Sequence, residues 1–462
     1  MQNNRFFLRN NVPQLLMFGT TTALAAGSHT LPAKTPAMPN IVVIIADDLA
    51  TGELSCYGGK NISTPHIDRL AREGMIFTNN YASCAMSVPI RASLYTGLYP
   101  VRHGSYQNHK TSFHHIKSIT HYLPEIGYRV GRTGKRHTQP RHVFTFEEVA
   151  GFETDCVYPA APYTTAGVRE FITRNSQPYC LFVCSTHPHV PWTEGNRDNI
   201  HPDQLVLPPI FVDNQPTRKL YRDFLAEIGV LDEQTGAIMQ LLEETGQLDH
   251  TLVMFLGEQG PQFPFGKWTC WYYGQHSALI VRYPKMVKAG STTDAIVQYE
   301  DVMPTLIELA GGKPVDGIDG KSYAGILSGK NREHREYAYG IHNNIPEGTA
   351  YPIRSIQDKR YKLIVNLTPD APYFEKHMMN VKDREQVWAS WIESAGANAY
   401  AQSIVNRFVR RPEKEFYDLA ADPWELKNLA GDSQYAEKIS AMEAELKKWM
   451  LQQGDTGAEI DR

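Results

Sequence analysis

Asn40-Ile41-Val42-Val43-Ile44-Ile45-Ala46-Asp47-Asp48 is the stretch that sets the architecture of this chain. An unbroken apolar run of strand length is what a strand buried on both faces requires, and here two carboxylates follow it at once. Similar runs recur at 180–184, 251–256 and 278–282, with helical patterns between them over 67–73, 118–126, 221–244 and 298–310. Such alternation predicts an α/β domain with a central, mostly parallel sheet flanked by helices. In these sheets the polar site lies beyond the carboxyl ends of the strands. The first strand delivers Asp47 and Asp48 there, and the strand 251–256 delivers Glu258 and Gln259.

Past residue 335 the pattern changes. Residues 353–365 read as two short strands around a polar turn, and a turn-rich stretch through Asp422-Pro423 leads to a helix over 434–451. The expectation is a catalytic domain over 39–335 and a smaller C-terminal α+β subdomain over 336–462.

Lys and Arg number 46 against 50 Asp and Glu, and no long basic run occurs, so the chain does not read as a nucleic-acid binder. Nothing after the N-terminus approaches the length of a membrane span. Arg5 and Arg9 precede a moderately apolar stretch ending near Ala23-Leu24-Ala25. That reads as a signal peptide over 1–26 and a linker over 27–38, hence as an exported, periplasmic or secreted protein. The six cysteines show no Cys-x-x-Cys spacing, which argues against a zinc site. Cys180 and Cys184 read as buried core thiols, while one or two disulfides elsewhere stay open.

Ser87-Val88-Pro89-Ile90-Arg91, followed by a short helical run to Thr96-Gly97, has the form Ser-x-Pro-x-Arg. Other landmarks are Asp47-Asp48, the stretch Thr64-Pro65-His66-Ile67-Asp68-Arg69-Leu70, and Gly134-Lys135-Arg136-His137. After them come His189-Val190-Pro191-Trp192, the run 301–306 that opens on Asp301, and Tyr417-Asp418-Leu419. With these in this order, the chain resembles the type I sulfatases of the alkaline phosphatase superfamily from about residue 39 to 450. Glu258-Gln259-Gly260, with Phe263-Pro264 and Gly266-Lys267 after it, is spaced as in sulfamidases, which tilts the substrate toward a sulfated amino sugar or related glycan.

The resemblance implies removal of sulfate from a sulfated carbohydrate. Alternatives are a sulfamate (N-sulfoglucosamine) sulfohydrolase, a phosphate or phosphonate ester hydrolase, and an inactive glycan-binding homologue. It also implies that Ser87 is oxidised to formylglycine (3-oxoalanine) by a serine-type maturase of the anaerobic, radical kind, and so a bacterial host. The hydrated aldehyde would supply the nucleophile. Asp47, Asp48, Glu258 and Gln259, with residue 87, make an all-oxygen set for a hard divalent cation, Ca²⁺ ahead of Mg²⁺. Arg91 would hold the modified residue and its metal ligands. Lys135 and His137 match the family's Lys-x-His pair, one contacting nucleophile or sulfate and the other acting as base. His189 matches the histidine that binds sulfate and protonates the leaving oxygen, with His187 competing for that role. Lys267 would be the last cationic sulfate contact. Trp268, Trp271, Tyr272 and Tyr273 read equally as a sugar subsite or as packing. Leu98 stands where the family carries arginine, in the region a maturase reads.

Overall fold

A computed structural model describes residues 38–157, 162–382 and 386–461. The expected signal segment, and the linker up to residue 37, lie outside these. Ten strands fall in the first part: β1 Asn40–Ile45, β2 Met75–Phe77, β3 Asn80–Tyr81, β4 Arg129–Gly134, β5 Glu147–Glu148, β6 Tyr179–Cys184, β7 Thr251–Leu256, β8 Leu279–Arg282, β9 Ser291–Thr293 and β10 Val297–Gln298. Eight of them form one sheet in the order β5-β4-β6-β1-β7-β8-β2-β9, while β3 and β10 pair separately.

Within the large sheet β5, β4, β6, β1 and β7 run parallel, and β8 is antiparallel to both its neighbours. Side chains alternate across a strand, so Val42 and Ile44 of β1 enter one apolar core while Ile41, Val43 and Ile45 enter the other. That explains the unbroken apolar run: both faces of β1 are covered. The long helix Gln215–Glu244 contributes Phe224, Leu225 and Ile228 to the first core, and the helix Ser87–Thr96 contributes Ile90, Leu94 and Tyr95 to the second. The pattern expected as one helix over 298–310 is instead a 3-10 turn, Tyr299–Asp301, running into the α-helix Val302–Leu309.

The later residues build a four-stranded antiparallel sheet from β11 Ala338–His342, β12 Ile353–Gln357, β13 Tyr361–Asn366 and β14 Lys414–Asp418, in that order. The helix Ala436–Gln453 packs on it, with Met442, Leu446 and Trp449 buried. Arg354 of β12 is tied to Asp455 by two hydrogen bonds of 2.5 and 2.8 Å in a fully buried pair, anchoring the segment after that helix. All six cysteines are free thiols, so the disulfides left open by the sequence are not formed.

Candidate active site

Four adjacent parallel strands, β4, β6, β1 and β7, end at one edge of the sheet, and each is followed by site residues. β1 leads to Asp47 and Asp48, β7 to Glu258 and Gln259, β4 to Lys135 and His137, and β6 to the loop carrying His187 and His189. Local backbone geometry is specialised at these exits. Asp48 and Glu258 sit at φ 66° and 67°, a left-handed conformation that costs a non-glycine residue about 1–3 kcal/mol and is retained where the surroundings enforce it. Gly134, at φ 84°, lies so close to β6 that a Cβ would be 1.9 Å from the Cys184 carbonyl oxygen.

Ser87 is the first residue of its helix, with its hydroxyl at the carboxyl edge of the sheet. Oγ lies 3.1 Å from Glu258 Oε2, to which it donates, and 3.4 Å from Asp47 Oδ1. It accepts from Lys135 Nζ at 3.1 Å and from Gln259 Nε2 at 3.5 Å. Lys135 Nζ also donates to both Asp47 oxygens at 2.6 and 2.5 Å. Arg91 Nε donates to Glu258 Oε1 at 2.5 Å. Lys267 Nζ donates to Asp48 Oδ2 at 2.7 Å and contacts His189 Nε2 at 3.1 Å.

These charges are buried, and they sustain one another. Burial is the largest influence on the Lys135 ammonium and works against it, but Asp47, Cys156 and Glu258 together outweigh it and raise the pKa above the usual lysine value. Burial, with Asp47 adding to it, pushes the Glu258 carboxyl up against the pull of Arg91. His137 is driven well below the imidazole range by burial and then by Lys135, Arg91 and Lys267. His189 is pushed down to about 3 by burial and Lys267. Both imidazoles are therefore neutral near neutral pH.

Ligand oxygens of Asp47, Asp48 and Glu258 lie within 4.8 Å of one another, and the amide oxygen of Gln259 is buried without a partner. Three carboxylates and an orphaned amide oxygen fit a hard divalent cation.

Contacts distinguish the two histidines. His187 is buried, and its Nδ1 is bonded to Glu227, so it is a satisfied structural histidine. His189 lines the cavity above Ser87; its Nδ1 faces the carbonyls of Val190 at 2.6 Å and Cys156 at 3.2 Å. Nδ1 therefore carries the proton, and Nε2 faces Lys267 with its lone pair.

That cavity has a volume of about 1080 Å³. Of the four aromatics after Lys267 only Trp268 lines it. Trp271 is instead packed on Phe265, Phe408 and Arg411, with its indole N–H donating to Glu415 at 2.9 Å. Tyr273 donates to the buried Glu53 at 2.8 Å, and Tyr272 stacks on His276. The sugar-subsite reading thus fails for these three, which pack between the segment after β7 and the C-terminal part. Cys156, Asn108 and Glu347 also line the cavity. Sequence reasoning missed all three, because they come from irregular segments far apart in the chain, without a motif.

The sulfatase family model matches residues 39–312 of this chain. The chain belongs to the sulfatase family. A second family model, the C-terminal part of N-sulphoglucosamine sulphohydrolase, matches residues 264–385. An ulvan-active sulfatase of Formosa agariphila is 30% identical to this sulfatase over 423 residues, covering 90% of this chain and 81% of the relative. The N-sulphoglucosamine sulphohydrolase of Homo sapiens is 27% identical over 465 residues, 90% of each chain. Among solved structures, a protein in complex with its substrate D-glucosamine-2-N,6-O-disulfate superposes with a TM-score of 0.67 at 22% identity, covering 91% of this chain and 99% of that one. A phosphonate monoester hydrolase of Agrobacterium radiobacter gives 0.69 at 20% identity, covering 90% and 96%. At these identities the structural likeness speaks for the shared fold. Family membership makes this sulfatase a sulfuric ester hydrolase.

Proposed function

We propose that this sulfatase removes sulfate from a sulfated carbohydrate, using Ser87 after its oxidation to formylglycine and a calcium ion. The observation that carries the reading is the setting of Ser87. It heads a helix, with its hydroxyl within 3.5 Å of Lys135, Glu258, Asp47 and Gln259, beneath a cavity large enough for sugar units. The relatives named for ulvan and for N-sulphoglucosamine support the carbohydrate class.

The cation would be held by Asp47, Asp48, Glu258 and Gln259; with an aldehyde hydrate at residue 87, it supplies the Lewis acid and the nucleophile that an unaltered serine lacks. The chain's own residues do the rest. Lys135 neutralises Asp47 and places a donor on residue 87, while Arg91 fixes Glu258. Lys267 and His189 form a pair 3.1 Å apart, where a proton held between Nζ and Nε2 can pass to the departing oxygen. His137 is neutral, with Nδ1 unpartnered in the cavity wall, where it can hydrogen-bond a substrate or aldehyde-hydrate hydroxyl.

A second reading, cleavage of an N-sulfate, is favoured by the match of residues 264–385 to the N-sulphoglucosamine sulphohydrolase C-terminal model. The spacing of Glu258-Gln259-Gly260 and Lys267 agrees with it. Export to the periplasm or beyond belongs to the same proposal.

Peptide mass spectrometry across Ser87, on protein co-produced with a serine-type maturase, should show loss of two hydrogens or the hydrated aldehyde. Sulfate release should then follow from sulfated saccharides, with N-sulfated and O-sulfated glucosamine separating the two readings. Unmodified serine together with inactive protein would overturn the mechanism.

A further inference from the structure

Among the described residues, four buried polar atoms in the wall of the cavity have no partner: Asn108 Oδ1, His137 Nδ1, Trp268 Nε1 and Glu347 Oε2. His137 belongs to the machinery already described. The other three do not, and two of them are joined. Asn108 Nδ2 donates to Glu347 Oε1 at 2.7 Å. That bond takes one of the two N–H groups of the Asn108 amide and one carboxylate oxygen, leaving one acceptor oxygen free on each side chain. Trp268 adds a donor; its ring lies 5.0 Å from Lys267 Nζ, which ties this wall to the sulfate end of the site.

A buried acceptor without a donor costs about 1–3 kcal/mol, and a charged one more, so such groups call for a ligand that supplies the missing bond. Glu347 is 1% exposed, and its Oε2 is buried without a donor among the described residues.

We propose that Asn108, Trp268 and Glu347 form a hydrogen-bonding subsite that holds the sugar bearing the scissile sulfate by a hydroxyl or ammonium substituent and rejects a second sulfate at that position. The proposal rests on the reading of the cavity as a carbohydrate site. A hydroxyl or ammonium donates to Glu347 Oε2 and Asn108 Oδ1, while Trp268 Nε1 donates to a neighbouring sugar oxygen. A sulfate is acceptor-only and anionic, so it meets two acceptors, one of them a carboxylate. Sites built to hydrogen-bond a substituent discriminate strongly, because the wrong partner leaves their buried groups unpaired.

The test compares kcat/KM for three probes: glucosamine 6-sulfate, its N-acetyl form and its N,6-disulfate. The release of 6-sulfate is followed by chromatography of the sugar products. The matured wild-type enzyme should favour the free-amine or N-acetyl sugar over the disulfate by at least about tenfold, within the range expected for lost hydrogen bonds. Glu347→Gln turns the free acceptor into a donor. It should lower kcat/KM for the preferred sugar about tenfold or more and bring the ratio to the disulfate within about threefold. Trp268→Phe keeps the ring, removes the N–H, and should raise KM with little change in kcat. This second variant decides the matter should Glu347→Gln not fold. An unchanged ratio in Glu347→Gln together with an unchanged KM in Trp268→Phe overturns the subsite, as does a wild-type preference for the disulfate. Wild-type hydrolysis of 4-nitrophenyl sulfate without release from any saccharide would overturn the carbohydrate reading itself, and the subsite with it.

Discussion

His187 and His189 stand two residues apart and meet opposite surroundings. The first is tied to Glu227, whose other oxygen accepts from the Glu194 backbone at 2.7 Å. The second faces Lys267 across the cavity. His189→Ala should therefore lower kcat about 10²–10⁴-fold, the scale of a positioned proton-transfer group, because it removes the acceptor that orients the Lys267 ammonium, with little change in Tm. His187→Ala should cost about 3–5 kcal/mol in denaturant unfolding, because it strands a buried carboxylate. Loss of kcat from His187→Ala alone, in protein of unchanged stability, would reverse the assignment. Ser87, Asp47, Asp48, Glu258, Gln259 and Lys135 were legible in the sequence because each heads a helix or lies within three residues of a strand end, so order along the chain stands in for position in space. Glu347, Asn108 and Cys156 were not. Irregular segments have no periodicity, and their convergence on one cavity is a property of the assembled fold.

At the level of elements, the central strands were readable because both faces of β1 and β7 are covered, which demands continuous apolar sequence. The role of the aromatics after Lys267 was not readable, since a buried ring and a sugar-stacking ring have the same composition. Trp271→Ala is expected to cost about 3–5 kcal/mol of stability and to leave the KM for saccharides unchanged. Gly134 makes the sharper case. Gly134→Ala imposes about 1–3 kcal/mol of backbone strain at φ 84°. It must also push β4 away from β6, displacing Lys135. Thermal unfolding and activity should both fall, and an alanine variant with wild-type activity would contradict the close approach.

For the whole molecule, stability depends on acids held in apolar surroundings. Burial raises the Glu53 carboxyl to about 7, despite donation from Tyr273 and Tyr221, and raises Glu300 to about 7 despite its bond to Ser83. Between the ordinary carboxylate range and pH 7 the unfolded chain has released these protons while the folded chain still binds them. Stability therefore declines as pH rises through that window. Wild-type protein should melt lower at pH 8 than at pH 5.5, and Glu53→Gln should narrow the gap, since an amide oxygen can still accept from both tyrosines. A gap of unchanged width would show that Glu53 is ionised throughout.

Every residue from Ser87 to Thr96 is buried in the finished molecule, and Ser87 itself is only 2% exposed. The proposed oxidation of Ser87 requires an enzyme to grip a segment that the finished fold buries. Maturation and folding are then rivals in time. Whichever happens first is permanent, and a chain that folds early is sound in shape but chemically mute. Maturase added to folded protein should leave the serine untouched, while the same maturase present during refolding should convert it.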